Sequence, residues 1–236
     1  MSAPGSRSSR VLRAGDALAE PGSFLRGTLG GWFRQRASGR PVLLTVAHLL
    51  TPPALRAFPA PPPPPPPGPV LSLESEPVWL CTPPSSEPVA RVLACGVHAA
   101  PGSADACIAA PLDEAMCTDA IPSLPWVPVP GEPRVGHPVL KVGWASGVRH
   151  GRIVAVDWPS HRYGSRADVL IESLDGQPFG VEGDSGALIF DTRERTVVGL
   201  HLGDVLEVVH RELRRPRLWV AHPLERLLRL FDLTAF

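Results

Sequence analysis

Three polar side chains sit among small or apolar neighbours: His48 in TVAHLL (45–50), Asp105 in GSADACIAA (102–110) and Ser185 in GDSGALIF (183–190). An imidazole, a carboxylate and a hydroxyl are the parts of an activated nucleophile. A serine hydroxyl attacks an acyl carbon only when a neighbouring base takes its proton. That imidazole in turn needs a buried carboxylate to hold its tautomer and to stabilise its charged form. Gly183 meets a separate need: lacking a Cβ, it lets the backbone approach closely, so that the N–H groups of Gly183 and Ser185 can point together at a developing oxyanion. The bland alternative is that His48 closes a strand, Asp105 opens a turn and Ser185 fills one.

Residues so far apart in the chain must be brought together by the elements around them. Segment 27–50 reads as a strand, a turn at Ser38-Gly39 and a second strand rich in Val, Leu and Thr that ends at Ala47-His48. Strand-like stretches recur at 77–82, 88–99, 105–112, 138–144, 151–158, 167–174, 186–191, 196–203 and 217–223. A proline-studded stretch, 121–138, divides them into two halves. Leu224, Leu227, Leu228 and Phe231 recur at helical spacing behind Pro223, so a closing helix is expected over 222–233. Many short strands, one break and one terminal helix predict an all-β chain of paired antiparallel barrels. The expected division is a loose tail over 1–20, a first barrel over 21–125 carrying His48 and Asp105, and a second barrel with the helix over 126–236 carrying Ser185. Seven consecutive prolines at 61–67 fall in an insertion over 52–69, expected as a surface polyproline rod, with a docking site for a proline-reading partner as the lesser reading.

The chain has 236 residues, 44% of them hydrophobic, ample for a buried core. Its 30 prolines argue against a helical bundle. Basic and acidic residues balance at 23 each, which speaks against a broad electrostatic grip on nucleic acid or on an anionic membrane. Lys141 is the single lysine. No apolar run is long enough to span a bilayer, and the first 25 residues lack the apolar stretch of a secretory signal. The cytoplasm is therefore the expected compartment. Cys81, Cys95, Cys107 and Cys117 match no zinc spacing, and in a reducing compartment they are expected as thiols, with disulfides the lesser alternative. His98, His137, His150, His161, His210 and His222 follow no ligand spacing either. The charged stretch EVVHRELRRPR (207–217) reads as a solvated hairpin, and Trp144 and Trp158 as packing residues.

The segments TVAHLL, DACIAA and GDSGALIF, in the order His, Asp, Ser, resemble the three signature segments of chymotrypsin-like serine peptidases. GTLGGWF ahead of the histidine and VLKVGWASGVRHGRIV (139–154) are similar to hairpins of bacterial, non-zymogen members. The resemblance covers roughly residues 22–233. It implies two six-stranded antiparallel barrels with the active site between them and a C-terminal helix. It also implies His48 as general base, Asp105 as orienting acid, Ser185 as nucleophile and the N–H groups of Gly183 and Ser185 as the oxyanion hole. The implied activity is peptide-bond hydrolysis through an acyl-enzyme, on a protein or peptide substrate and with no cofactor. A catalytically silent binding module and a non-peptidase acyl hydrolase are the alternatives.

The sequence departs from secreted relatives in two ways. No cysteine flanks His48 or Ser185, and no Ile-Val-Gly-Gly-like segment is present whose freed amine could pair with Asp184. Asp184 then needs another partner, or a regulatory protein sets the loop. For substrate binding, the resemblance points to Phe179 near the pocket floor, to His201 in VVGLHLGD and to Asp204 beside it. His201 stands where glutamyl endopeptidases have a histidine, which suggests an acidic side chain before the scissile bond. A backbone-satisfied histidine is the plain reading, and Asp204 would repel such a group.

Overall fold

A computed structural model of the chain describes residues 11–50, 70–72, 77–96, 104–126, 128–160, 165–205 and 218–235. The proline run 61–67, the charged stretch at 207–217, His98, His161 and His210 lie outside the described residues.

Valine, leucine and isoleucine fill short segments between turns, and they pair as antiparallel strands. Strands β1 (Ala17–Leu18) and β2 (Gly27–Thr28) form a ribbon. The first large sheet holds β3 (Gly31–Gln35), β4 (Pro41–Thr45), β5 (Val70–Ser72), β6 (Trp79–Cys81), β7 (Pro88–Gly96) and β8 (Cys107–Pro111), together with β16 (Leu233–Ala235) from the end of the described chain. Its path is β16-β3-β4-β8-β7-β5, with β6 also on β7. β4 is buried along its whole length, so it shows no alternation of apolar and polar residues.

The second sheet holds β9 (Val129–Pro130), β10 (Pro138–Gly143), β11 (Gly147–Ser160), β12 (Ser165–Ser173), β13 (Leu188–Asp191), β14 (Thr196–Asp204) and β15 (Leu218–Pro223). The β13–β14 pairing closes β13-β10-β11-β12-β15-β14 into a six-stranded barrel. β9, inside the expected linker, adds to β14 in parallel. Val139, Ile153, Ile171, Phe179, Ile189 and Trp219 fill the second barrel.

Helix α1 (Leu224–Leu230) is shorter than the periodicity predicts. It stops at Phe231, after which Asp232 takes a positive φ of 52° and turns the chain into β16. That strand crosses to the first sheet and pairs with β3, so residues 233–235 belong to the half that carries His48. The predicted tail also differs from the structure: over 11–19, Leu12, Ala14, Ala17, Leu18 and Ala19 are buried. The Leu12 carbonyl accepts the Trp32 indole N–H at 2.9 Å, and Ala19 exchanges hydrogen bonds with Cys81. Arg13, Gly15 and Asp16 interrupt these apolar positions, so the sequence shows no regular period there.

Candidate active site

The TVAHLL segment leaves β4 and enters a single 3-10 turn, Ala47–Leu49, with Ala47, Leu49 and Leu50 buried. This anchors the turn on apolar side chains and leaves the His48 side chain 36% exposed. Asp105 lies just ahead of β8 and is fully buried. Its Oδ1 accepts the N–H groups of Ala47 and His48 at 3.1 and 2.9 Å, and its Oδ2 lies 2.5 Å from His48 Nδ1. One carboxylate thus fixes both the main chain and the ring of His48, and it places the Nδ1 proton between them.

Ser185 sits in the turn ahead of β13. Gly183 has φ +97°, a conformation that favours glycine, and a Cβ there would press on the Trp144 ring. Thr28 pins the turn from β2: its Oγ1 donates to the Gly183 carbonyl at 2.8 Å and its N–H to the Ser185 carbonyl at 2.7 Å. Asp184 is buried beneath. Its partner is Lys141 of β10, equally buried, with Nζ 2.7 Å from Oδ2 and 2.9 Å from Ser146 Oγ. The N–H groups of Ala145 and Ser146 donate to Asp184 Oδ1, and that of Val181 to Oδ2, each at 3.0 Å. Burial pushes the Asp184 carboxyl upward, but the Lys141 ammonium and these donors prevail and hold it below its ordinary value. Burial pulls Lys141 down against the attraction of Asp184.

His48, Asp105 and Ser185 line one cleft of about 570 Å³, with His201, Asp204 and Trp219 in the same wall. The Ser185 hydroxyl donates to the Leu202 carbonyl at 2.8 Å. His201 is buried, and its main chain is taken up by Gly186 and Ala187. Among the described residues its ring Nδ1 has no hydrogen-bond partner. Burial above all, then the charges of Lys141 and His48 against that of Asp184, lowers its pKa from 6.5 to about 3, so the ring is neutral.

Phe179 does not reach the cleft surface. It is fully buried behind His201, edge-on to that ring at 6.0 Å, 6.2 Å from Trp219, with Lys141 Nζ 5.7 Å from its centroid. Trp144 and Trp158 are each 41% exposed rather than packed away, and Arg26 lies over the Trp144 ring. Among the described residues, no group of three or more His, Cys, Asp or Glu side chains is placed to hold a metal ion, and no helix is long and apolar enough to cross a membrane.

Neither a protein-family model nor a curated protein sequence matches the chain. Solved structures do resemble it. Thermobifida fusca protease A aligns over 95% of this chain and 98% of its own, at TM-score 0.63 and 14% identity. A glutamic acid specific serine protease that utilizes a histidine triad in substrate binding aligns over 95% of this chain and 100% of its own, at TM-score 0.64 and 16% identity. Cellulomonas bogoriensis chymotrypsin aligns over 95% and 97%, at TM-score 0.59 and 12% identity.

The chain has the chymotrypsin-like fold. Within the chymotrypsin-like architecture, His48 and Asp105 come from the first sheet, and Ser185, His201 and Asp204 from the second, so the cleft lies at their junction. The Lys141–Asp184 pair escaped the sequence reading. The only available signal was that the chain's lone lysine falls in a strand otherwise built for burial.

Proposed function

We propose that this chain is a serine endopeptidase in which His48 is the general base, Asp105 its orienting carboxylate and Ser185 the nucleophile. The observation that carries the reading is the Asp105 carboxylate clamping the ring and main chain of His48 in the cleft that also holds Ser185. The likeness of the fold to bacterial serine proteases supports it. In the proposed reaction the Ser185 hydroxyl turns from the Leu202 carbonyl towards His48 Nε2. Oγ bonds to the substrate carbonyl carbon as its proton passes to the imidazole. The amine then leaves with that proton, and water repeats the sequence on the acyl-enzyme. Among the described residues, no hydrogen bond takes up the N–H of Gly183 or Ser185, which leaves both to stabilise the oxyanion.

His201 supports a finer proposal, a preference for an acidic side chain before the scissile bond. Its Nδ1 is buried without a partner among the described residues, and an arriving carboxylate would supply one. Glu182 and Asp204 line the same cleft and oppose such a group. A reducing compartment such as the cytoplasm fits four cysteines that are all free thiols.

One observation favours a second reading, in which the chain is catalytically silent or waits for a regulatory partner: the Ser185 proton is committed to Leu202 and not to His48. A fluorophosphonate probe separates the two. The endopeptidase reading expects labelling of the purified chain, abolished in Ser185→Ala, with peptide turnover falling by roughly 10⁶ in that variant. A chain that stays unlabelled overturns it. Turnover of esters without peptides would point instead to an acyl hydrolase. Fluorogenic peptides differing only before the scissile bond test the acidic preference, and equal turnover of Leu and Glu substrates removes it.

A further inference from the structure

A histidine that follows no ligand spacing in the sequence turns out to span the two sheets. His222 of β15 is fully buried. Its Nε2 accepts the main-chain N–H of Asp105 at 2.8 Å, and its Nδ1 lies 2.7 Å from Asp168 Oδ1 in β12. A main-chain N–H can only donate, so Nε2 carries the lone pair and the ring proton sits on Nδ1, where it donates to the carboxylate. The ring is therefore a neutral imidazole in a single tautomer, and Asp168 selects that tautomer. Asp168 is itself fully buried, with Arg226 Nη1 at 3.8 Å and, among the described residues, no hydrogen bond to its second oxygen.

We propose that His222, oriented by Asp168, is a positioning residue for the reaction assigned above: it holds Asp105, and through it His48, in register with Ser185. The proposal rests on the endopeptidase reading. Asp105 and His48 belong to the first sheet; His222 and Ser185 belong to the second, where His222 pairs with Leu200 of β14, one position before His201 in the cleft wall. The Asp105–His222 hydrogen bond is thus a direct tie between the halves that supply the base and the nucleophile. Both Asp105 oxygens are hydrogen-bonded to residues 47 and 48, so any displacement of the Asp105 main chain passes to the His48 ring. Displacement of about 1 Å at a reacting group can cost on the order of 10²-fold in rate. Packing alone does not call for this arrangement, because an apolar side chain of similar volume fills a buried site without the cost of desolvating a carboxylate.

The full chain carrying His222→Leu or His222→Gln tests the assignment through three readouts. These are kcat and KM on a peptide substrate, the rate of fluorophosphonate labelling of Ser185, and the low-field proton resonance of His48 Nδ1–H, assigned by its loss in His48→Ala. His222→Leu keeps the volume and removes the acceptor. It is expected to lower kcat and the labelling rate by about 10–100-fold with KM little changed, and to shift or broaden the His48 resonance. His222→Gln, whose amide oxygen can accept from the same N–H, restores most of the lost kcat. Unchanged kcat and resonance in His222→Leu overturn the proposal, as does a glutamine variant as impaired as the leucine one. Should His222→Leu fail to fold, Asp168→Asn carries the test: it releases the tautomer, so a lower kcat and a moved His48 resonance are expected, and wild-type values refute the role. A wild-type chain that neither labels nor cleaves peptides defeats the endopeptidase reading instead, while the His48 resonance in the variants still reports whether His222 holds Asp105.

Discussion

Lys141 and Asp184 are fully buried, and each is the other's counter-charge beneath the turn that carries Ser185. Removing one partner of such a pair leaves a charge without water, at a cost of about 3–5 kcal/mol. Lys141→Met is therefore expected to lower unfolding free energy by that amount in urea titrations, and to slow probe labelling of Ser185 because Asp184, which accepts from Val181, Ala145 and Ser146, loses its counter-charge. Wild-type stability in that variant would show that the pair holds nothing. The sequence displays His48, Asp105 and Ser185 because chemistry demands particular residue types inside short segments with recognisable neighbours. Lys141, His222 and Asp168 are invisible to that kind of reading. Their partners are 43, 117 and 54 residues away, and only folded strands bring them together.

β16 shows how an element can belong to a sheet far from its neighbours in the chain. Its residues pair with β3, the Arg36 N–H donates to the Asp232 carbonyl at 2.8 Å, and Leu233 is almost wholly buried. Leu233→Ala is expected to cost about 2–4 kcal/mol, read as a lower urea midpoint at an unchanged slope. A cost below about 0.5 kcal/mol, the range of surface substitutions, would mean that the strand contributes little. Most strands were legible in the sequence, since short apolar runs between turn residues mark β6, β8, β10, β12, β13, β14 and β15 within two residues. The end of the helix was not. Leu233 lies off the apolar face of Leu224, Leu227 and Phe231, but no glycine or proline marks a stop before it, and the turn at Asp232 rests on a positive φ that aspartate tolerates but does not announce. Residues 11–19 were misread because their small apolar residues, interrupted by Arg13, Gly15 and Asp16, make no regular period.

Acid should weaken the whole fold through groups that the junction buries. The folded chain keeps His201 neutral, its pKa lowered from 6.5 to about 3. Between those values the unfolded chain binds a proton that the folded chain refuses, so stability rises with pH across the window and falls as the solution is acidified from about 6.5 towards 3. Asp184, held below its ordinary value, acts in the same sense: its contribution is present above the unfolded carboxylate pKa and is lost as pH falls through the folded one. Urea titrations at descending pH should show this decline, and His201→Gln should flatten its upper part. A decline of equal slope in the variant would remove His201 from the account. The return of β16 to β3 carries one more consequence. During synthesis on a ribosome the β3 edge of the first sheet stays open until residues 233–235 have emerged, so a piece ending near residue 126 would present that edge unpaired and fold poorly without β16.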